Sequence, residues 1–222
     1  TGVGFRLGFV VIQTAGDISN FFSNIWPISF FSFEDLRLFF SLVLIAISCI
    51  IMGAGIPTTA TYIILVAVAA PALAQLGIEP LVAHFFVFYY GVLADITPPV
   101  ALAAYAASGI AKSNPFKTGN TAFRLGIAKA LVPFVFVYSP SLLLITGEFQ
   151  ANQLIITLIG TLIGIALIGI AFTGYWFRSL TKYEQILIGI GSLFFVAPGT
   201  GSMIIGLLIV LPMLFLQFYK KN

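Results

Sequence analysis

Asp95 is the one acid set well inside an apolar stretch, in the string Ala94-Asp95-Ile96-Thr97-Pro98-Pro99. An ionisable group at such a depth is functional by default if the stretch lies in a bilayer. Three chemistries stay open for it: binding a cation, carrying a proton, or standing in a structural ion pair. Thr97 precedes two prolines, which remove two backbone donors and push it out of the helical region, so its hydroxyl is a candidate ligand. A second segment without charge is Gly53-Ala54-Gly55-Ile56-Pro57-Thr58-Thr59-Ala60-Thr61. Glycine at 53 and 55 lets the backbone approach closely and adopt conformations closed to other residues. Thr58, Thr59 and Thr61 either cap the following helix or line a site, and the two roles are compatible. One histidine and one cysteine are too few for a zinc site. His84 fits a hydrogen bond near a helix end, and Cys49 a small buried core residue.

The elements that must carry these residues follow from composition. Of 222 residues, 60% are hydrophobic and 8% charged, against about 45–50% and 25% in soluble domains. This excludes a water-soluble enzyme, a disordered chain and a coiled coil, and predicts an all-α integral membrane protein. The 10 Lys+Arg against 7 Asp+Glu report topology rather than nucleic-acid binding. A crossing takes about 20 helical residues, so the length allows four to seven membrane elements. The chain opens at Thr1 without a charged n-region, which predicts a C-terminal piece of something longer.

Residues 1–35 mix apolar and polar residues and crowd aromatics such as Trp26, Phe30 and Phe31. They are expected to form a connection lying along the membrane surface, with a buried role for the rings as the alternative. Residues 36–76 hold two short apolar arms joined by the Gly/Pro/Thr segment. This is the pattern of a re-entrant hairpin, whose non-helical tip must be buried in protein or line a cavity; a Gly-Pro kink in one long helix is the other reading. Residues 81–111 read as a broken helix with arms Leu81–Leu93 and Val100–Ile110. Lys112, Lys117, Arg124 and Lys129 follow with no acid between them, so 112–129 is expected to be a cytoplasmic loop. Residues 130–222 are expected to hold C-terminal transmembrane helices, with Glu148 between two of them. The run 186–219, interrupted at Pro198-Gly199-Thr200-Gly201 and ending at Lys220-Lys221, fits one long crossing or a second re-entrant pair.

Broken helices and re-entrant tips near mid-membrane point to a transport site. A half-helix ending inside the membrane presents unpaired carbonyls and about half a negative charge. Two such ends facing each other roughly offset one monovalent cation. Carbonyls around Gly53 and Ala94, with hydroxyls from Thr97 or Thr58, suit sodium. Half-helix N-termini offer the opposite pole to an anionic substrate, which places Thr58 and Thr59 as candidate substrate contacts.

The strings MGAGIPTTATYIILVAVAAPAL, GVLADITPPVALAAYAASGIA and NPFKTGNTAFRLGIAKALVPFVFVY resemble the large permease of tripartite ATP-independent periplasmic (TRAP) transporters. The nearest type is the fused small-plus-large permease that works with a TAXI-type binding protein. The resemblance covers about residues 45–140, and the proline pair after threonine is its most diagnostic element. It implies a sodium-driven, elevator-type symporter in a bacterial or archaeal inner membrane, importing a small organic acid delivered by an extracytoplasmic binding protein. It further implies two inverted repeats, of which this chain has room for the second. The first repeat and the small-subunit helices would then lie upstream or in another chain. Sodium is the coupling ion, with no other cofactor. Carried onto this sequence, its site falls on Gly53, Ala94, Thr97 and Val100, mostly through backbone carbonyls. Ala94 stands where glycine is common, and Asp95 where an apolar residue is usual, so a proton contribution stays open.

Two rivals remain at this point: a structural or assembly subunit without its own ion site, and a proton-coupled transporter using Asp95. An intramembrane enzyme lacks a second deep acid to pair with Asp95.

Overall fold

A computed structural model describes residues 2–25, 32–144, 150–197 and 199–219. Expectations about Trp26, Phe30, Phe31, Glu148, Pro198 and Lys220-Lys221 lie outside the described residues. The described residues are helical throughout except for turns and one isolated bridge between Tyr175 and Ser179. Five helical stretches among them are long and apolar enough to cross a membrane. The protein is an all-α, multi-pass integral membrane protein. The chain divides into two compact units, residues 1–115 and 116–222.

The first unit contains α1 (Val3–Ile25), α2 (Phe33–Gly53), α3 (Thr58–Gln75), α4 (Pro80–Ala94) and α5 (Leu102–Ile110). Residues 3–25, within the segment expected to lie as a connection along the membrane surface, form a 23-residue helix. Its buried stripe, Ile12, Ala15 and Ser19, has helical spacing but is made partly of small residues that a hydropathy reading passes over. Gly4 and Gly8 lie one turn apart and let α1 close on α3. A Cβ on Gly4 would stand 2.7 Å from the Ala67 carbonyl oxygen, and one on Gly8 2.8 Å from the Ala72 methyl. Phe22 of α1 stacks on Phe40 of α2, ring centres 5.2 Å apart.

The α2 helix starts at a capping box. Ser32 Oγ accepts the Asp35 N–H, and the Asp35 carboxylate accepts the Ser32 N–H, each at 3.1 Å. Glu34 and Asp35 in the first turn favour the positive helix end. This cap adds a turn that the charges at 34, 35 and 37 concealed, so α2 has 21 residues and α3 18. At 1.5 Å per residue these are about 32 and 27 Å long, not the short arms expected. The turn between them, Ala54–Pro57, is tight and uncharged, with Gly55 at φ +84°. On the far side, α3 carries Pro71 within it.

The second unit begins with α6 (Pro115–Gly126), so most of the basic segment expected as a loop is helical. A 3-10 turn leads into α7 (Val132–Tyr138), and a second 3-10 turn follows at Pro140–Leu143. Then α8 (Ala151–Thr173), α9 (Lys182–Val196) and α10 (Thr200–Tyr219) pack as successive antiparallel neighbours. The run 186–219 is therefore two helices side by side. Their core is Leu167, Ala171, Ile188, Phe195 and Val210. Backbones approach closely at Gly160, whose added Cβ would meet the Phe195 carbonyl oxygen at 2.7 Å, and at Gly164, where it would meet Val196 Cγ2 at 2.6 Å.

Candidate functional site

The α2 helix ends and α4 breaks at the same place, and the two ends touch. Gly53 is buried at the last position of α2. A Cβ there would lie 3.0 Å from the Ala94 methyl and 3.0 Å from Thr61 Cγ2. On the other side is Gly91, one turn before the end of α4, where an added Cβ would lie 3.2 Å from Thr61 Cγ2. Thr61 is 1% exposed, so its methyl sits between two glycines on neighbouring helices. Its hydroxyl donates to the Ile56 carbonyl at 3.0 Å and ties the turn to the start of α3. Gly55 brings the turn onto the break, its Cβ direction ending 3.7 Å from Val100 Cγ1.

The break itself is compact. Past Ala94 the chain makes three-residue bonds, Asp95 N–H to Val92, Ile96 N–H to Leu93 and Thr97 N–H to Ala94 carbonyls, at 3.3, 3.2 and 3.1 Å. The Pro98–Pro99 peptide is cis, and Ala101, fully buried, takes the left-handed conformation at φ 35° as α5 begins. A non-glycine residue there stores of order 1–2 kcal/mol of strain. The surroundings fix it: Ala101 N–H donates to the Thr97 carbonyl at 3.1 Å, Ala103 N–H to the Asp95 carbonyl at 3.1 Å, and the Tyr105 hydroxyl to the Pro99 carbonyl at 2.8 Å.

Of the sequence-derived ion ligands, Gly53 thus meets Ala94, and Val100 lies beside Gly55 of the same turn. The Gly53 carbonyl accepts only a long bond, 3.4 Å from Ile56 N–H, and the Ala94 carbonyl accepts from Thr97 N–H. Each carbonyl has two lone pairs, so one amide bond leaves capacity for a cation. The Thr97 hydroxyl proton is committed to the Leu93 carbonyl at 2.7 Å, which leaves the oxygen lone pairs for a ligand.

Thr58 and Thr59 are exposed at the start of α3, where Pro57 holds the cap position without a side-chain hydrogen bond. The capping role expected of them is not taken up; Thr61 alone of the three threonines ties back to the turn. Asp95 is half-buried and caps the C-terminal end of α4, the end that disfavours negative charge. Its carboxylate has no hydrogen bond or ion pair among the described residues. His84 pairs with the Tyr62 hydroxyl through Nδ1 at 2.8 Å, linking α4 to α3.

Sequence reasoning missed Gly91 and Ala101. Gly91 interrupts an apolar helical run, a signal of close packing. Ala101 gives no signal, because its conformation is imposed by the bonds around it.

The family model for the tripartite ATP-independent periplasmic transporter, DctM component, matches residues 1–151. The chain belongs to this family, the large permease component of TRAP transporters. Comparison with curated proteins and with solved structures finds no match. The match ends where α8 begins, so the α8–α10 bundle lies outside it. Membership makes the protein a transporter's membrane permease, working with a solute-binding protein.

Proposed function

We propose that the chain is one inverted repeat of a sodium-coupled, elevator-type symporter, with α2 and α3 as a re-entrant hairpin and α4–α5 as its broken helix. Sodium sits where the hairpin turn meets the break, held by the carbonyls of Gly53, Ala94 and Val100 and by the Thr97 hydroxyl oxygen. The substrate is a small organic acid, delivered in a bacterial or archaeal inner membrane by a TAXI-type extracytoplasmic binding protein. The first repeat and the small-subunit helices are supplied by further sequence or another chain. Thr58 and Thr59 face the carboxylate at the N-terminus of α3, where uncapped N–H groups attract anions. The observation that carries this reading is the contact of Gly53 with Ala94 and of Gly55 with Val100. It brings two backbone ends rich in carbonyls together. A compact, hard cation suits oxygen ligands of this kind.

The test is thermal unfolding of the purified full-length permease in sodium against matched potassium and choline. A ligand at about 100 times its dissociation constant adds roughly 2.7 kcal/mol to the folded state. The expected result is a sodium-specific rise in the midpoint that shrinks in Thr97→Ala. A midpoint indifferent to sodium over a wide concentration range removes this ion site.

The unpartnered Asp95 carboxylate favours a second reading, in which Asp95 carries a proton alongside or in place of sodium. Substrate uptake driven by a pH gradient in sodium-free vesicles, and abolished in Asp95→Asn, would establish it; uptake insensitive to that substitution would eliminate it.

A further inference from the structure

The turn between α8 and α9 carries a polar cluster beyond the family match and unused by the transport reading. Arg178 sits in this turn and grips Glu184. Nη2 donates to Oε1 at 2.6 Å and Nη1 to Oε2 at 3.4 Å, while Nη1 also donates to the Ser179 carbonyl at 2.9 Å. Glu184 Oε2 further accepts the Thr181 N–H and hydroxyl at 2.8 and 3.0 Å. From α10, Gln217 reaches the same turn. It is 0% exposed, and its Oε1 accepts the Arg178 backbone N–H at 3.3 Å.

The donors and acceptors do not balance. Glu184 already accepts four bonds, three of them at Oε2, yet two donors are left over, Arg178 Nε–H and the Gln217 Nε2 amide, both buried and without an acceptor. Flipping the Gln217 amide gives no relief, because Arg178 N–H needs the oxygen it already has. Buried donors are almost always satisfied in folded proteins. Two unmet donors from different elements, one of them on a guanidinium, match an oxyanion. The same end of the bundle carries interfacial rings. Tyr175, Tyr183 and Tyr219 are exposed, and Phe177 packs between Trp176 and Phe218. Amphipathic rings favour the headgroup level of a bilayer, and basic pockets between helices there take lipid phosphates. The Arg178 side chain is 24% exposed while Gln217 is wholly enclosed, so a headgroup reaches the cluster from the Arg178 side.

We propose that this end of the α8–α10 bundle binds a phosphate group, that of an anionic lipid headgroup, through Arg178 Nε–H and Gln217 Nε2–H. The headgroup then joins the α8–α9 turn to the end of α10 and anchors the bundle at the membrane surface.

The experiment is thermal unfolding of the purified full-length protein in detergent with three additives: phosphatidylglycerol, diacylglycerol of the same chains, and inorganic phosphate. Phosphatidylglycerol is expected to raise the midpoint by about 5 °C, diacylglycerol to leave it unchanged. Gln217→Glu keeps the shape and the acceptor for Arg178 N–H but turns the donor into an acceptor, and it should abolish the rise. Gln217→Met, close in volume and without a donor, should do the same if it folds. A rise with inorganic phosphate as well, lost in both variants, supports the phosphate site with free anion as a second source. No response to either phosphate, as a bridging water alone would give, overturns the proposal. So does a phosphatidylglycerol response undiminished in Gln217→Glu.

Discussion

Gly53 and Ala94 meet so closely that a Cβ on Gly53 would stand 3.0 Å from the Ala94 methyl. The end of α2 is thereby set against the end of α4, and the approach depends on the side chain that Gly53 lacks.

Replacing Gly53 by alanine should therefore cost stability through overpacking, about 1–3 kcal/mol, and lower uptake more than expression. The compensating change is Ala94→Gly. It removes the methyl that the new Cβ meets, and the double variant should recover part of the lost midpoint. Thr61 Cγ2 still crowds the site at 3.0 Å, so recovery stays partial. A double-mutant cycle on the unfolding midpoint measures the coupling, and strict additivity would mean the two residues are not in contact.

Gly55 is the contrasting case. Space is ample there, since a Cβ would find Val100 Cγ1 at 3.7 Å, but φ is +84°. Gly55→Ala should cost about 1 kcal/mol through backbone strain, and Ala94→Gly should not rescue it. Chemical or thermal unfolding of the single and double variants separates strain from crowding.

These contacts explain what was legible in the sequence. The turn at 54–57 and the break after Ala94 are written in glycine and proline, whose backbone restrictions are local. Helix ends could be placed from them within a few residues. The length of α2 was hidden because its first turn is a capping box of polar residues, Ser32 and Asp35, which a count of apolar residues stops short of. The α1 helix was hidden because its inward stripe is built on Gly4, Gly8, Ala15 and Ser19, residues whose value lies in being small. Thr97 and Ala94 could be named as candidate site residues from the proline pair. Gly91 and Ala101 could not, because their roles exist only once α3 packs on α4 and the break closes on itself.

The α8 helix contains its own control. A Cβ on Gly160 would reach the Phe195 carbonyl oxygen at 2.7 Å, whereas one on Gly169 meets nothing within 4 Å. Gly160→Ala should lower the unfolding midpoint by forcing α8 off α9, since small residues set the approach of membrane helices. Gly169→Ala should be neutral or stabilising, by up to about 1 kcal/mol from helix propensity. Equal effects at both positions would show that propensity, not packing, governs α8.

Acidification tests the polar end of the bundle. Burial acts to raise the Glu184 carboxyl, but the Thr181 N–H, the Arg178 guanidinium and the Thr181 hydroxyl outweigh it and hold the group below its ordinary value of 4.5. Glu184 lies in the capping box that opens α9, a helix outside the five that are long enough to span. A depressed folded-state value means that the ionised group stabilises the fold above its unfolded value, and that this contribution is lost as pH falls through the folded one. The wild-type protein should therefore unfold at a higher temperature than Glu184→Gln near pH 7, and the gap should close only below about pH 4.5. Closure near neutral pH would assign the effect to another group. Arg178→Lys should narrow the gap near pH 7, because a lysine cannot reproduce the two-pronged grip of the guanidinium on both carboxylate oxygens.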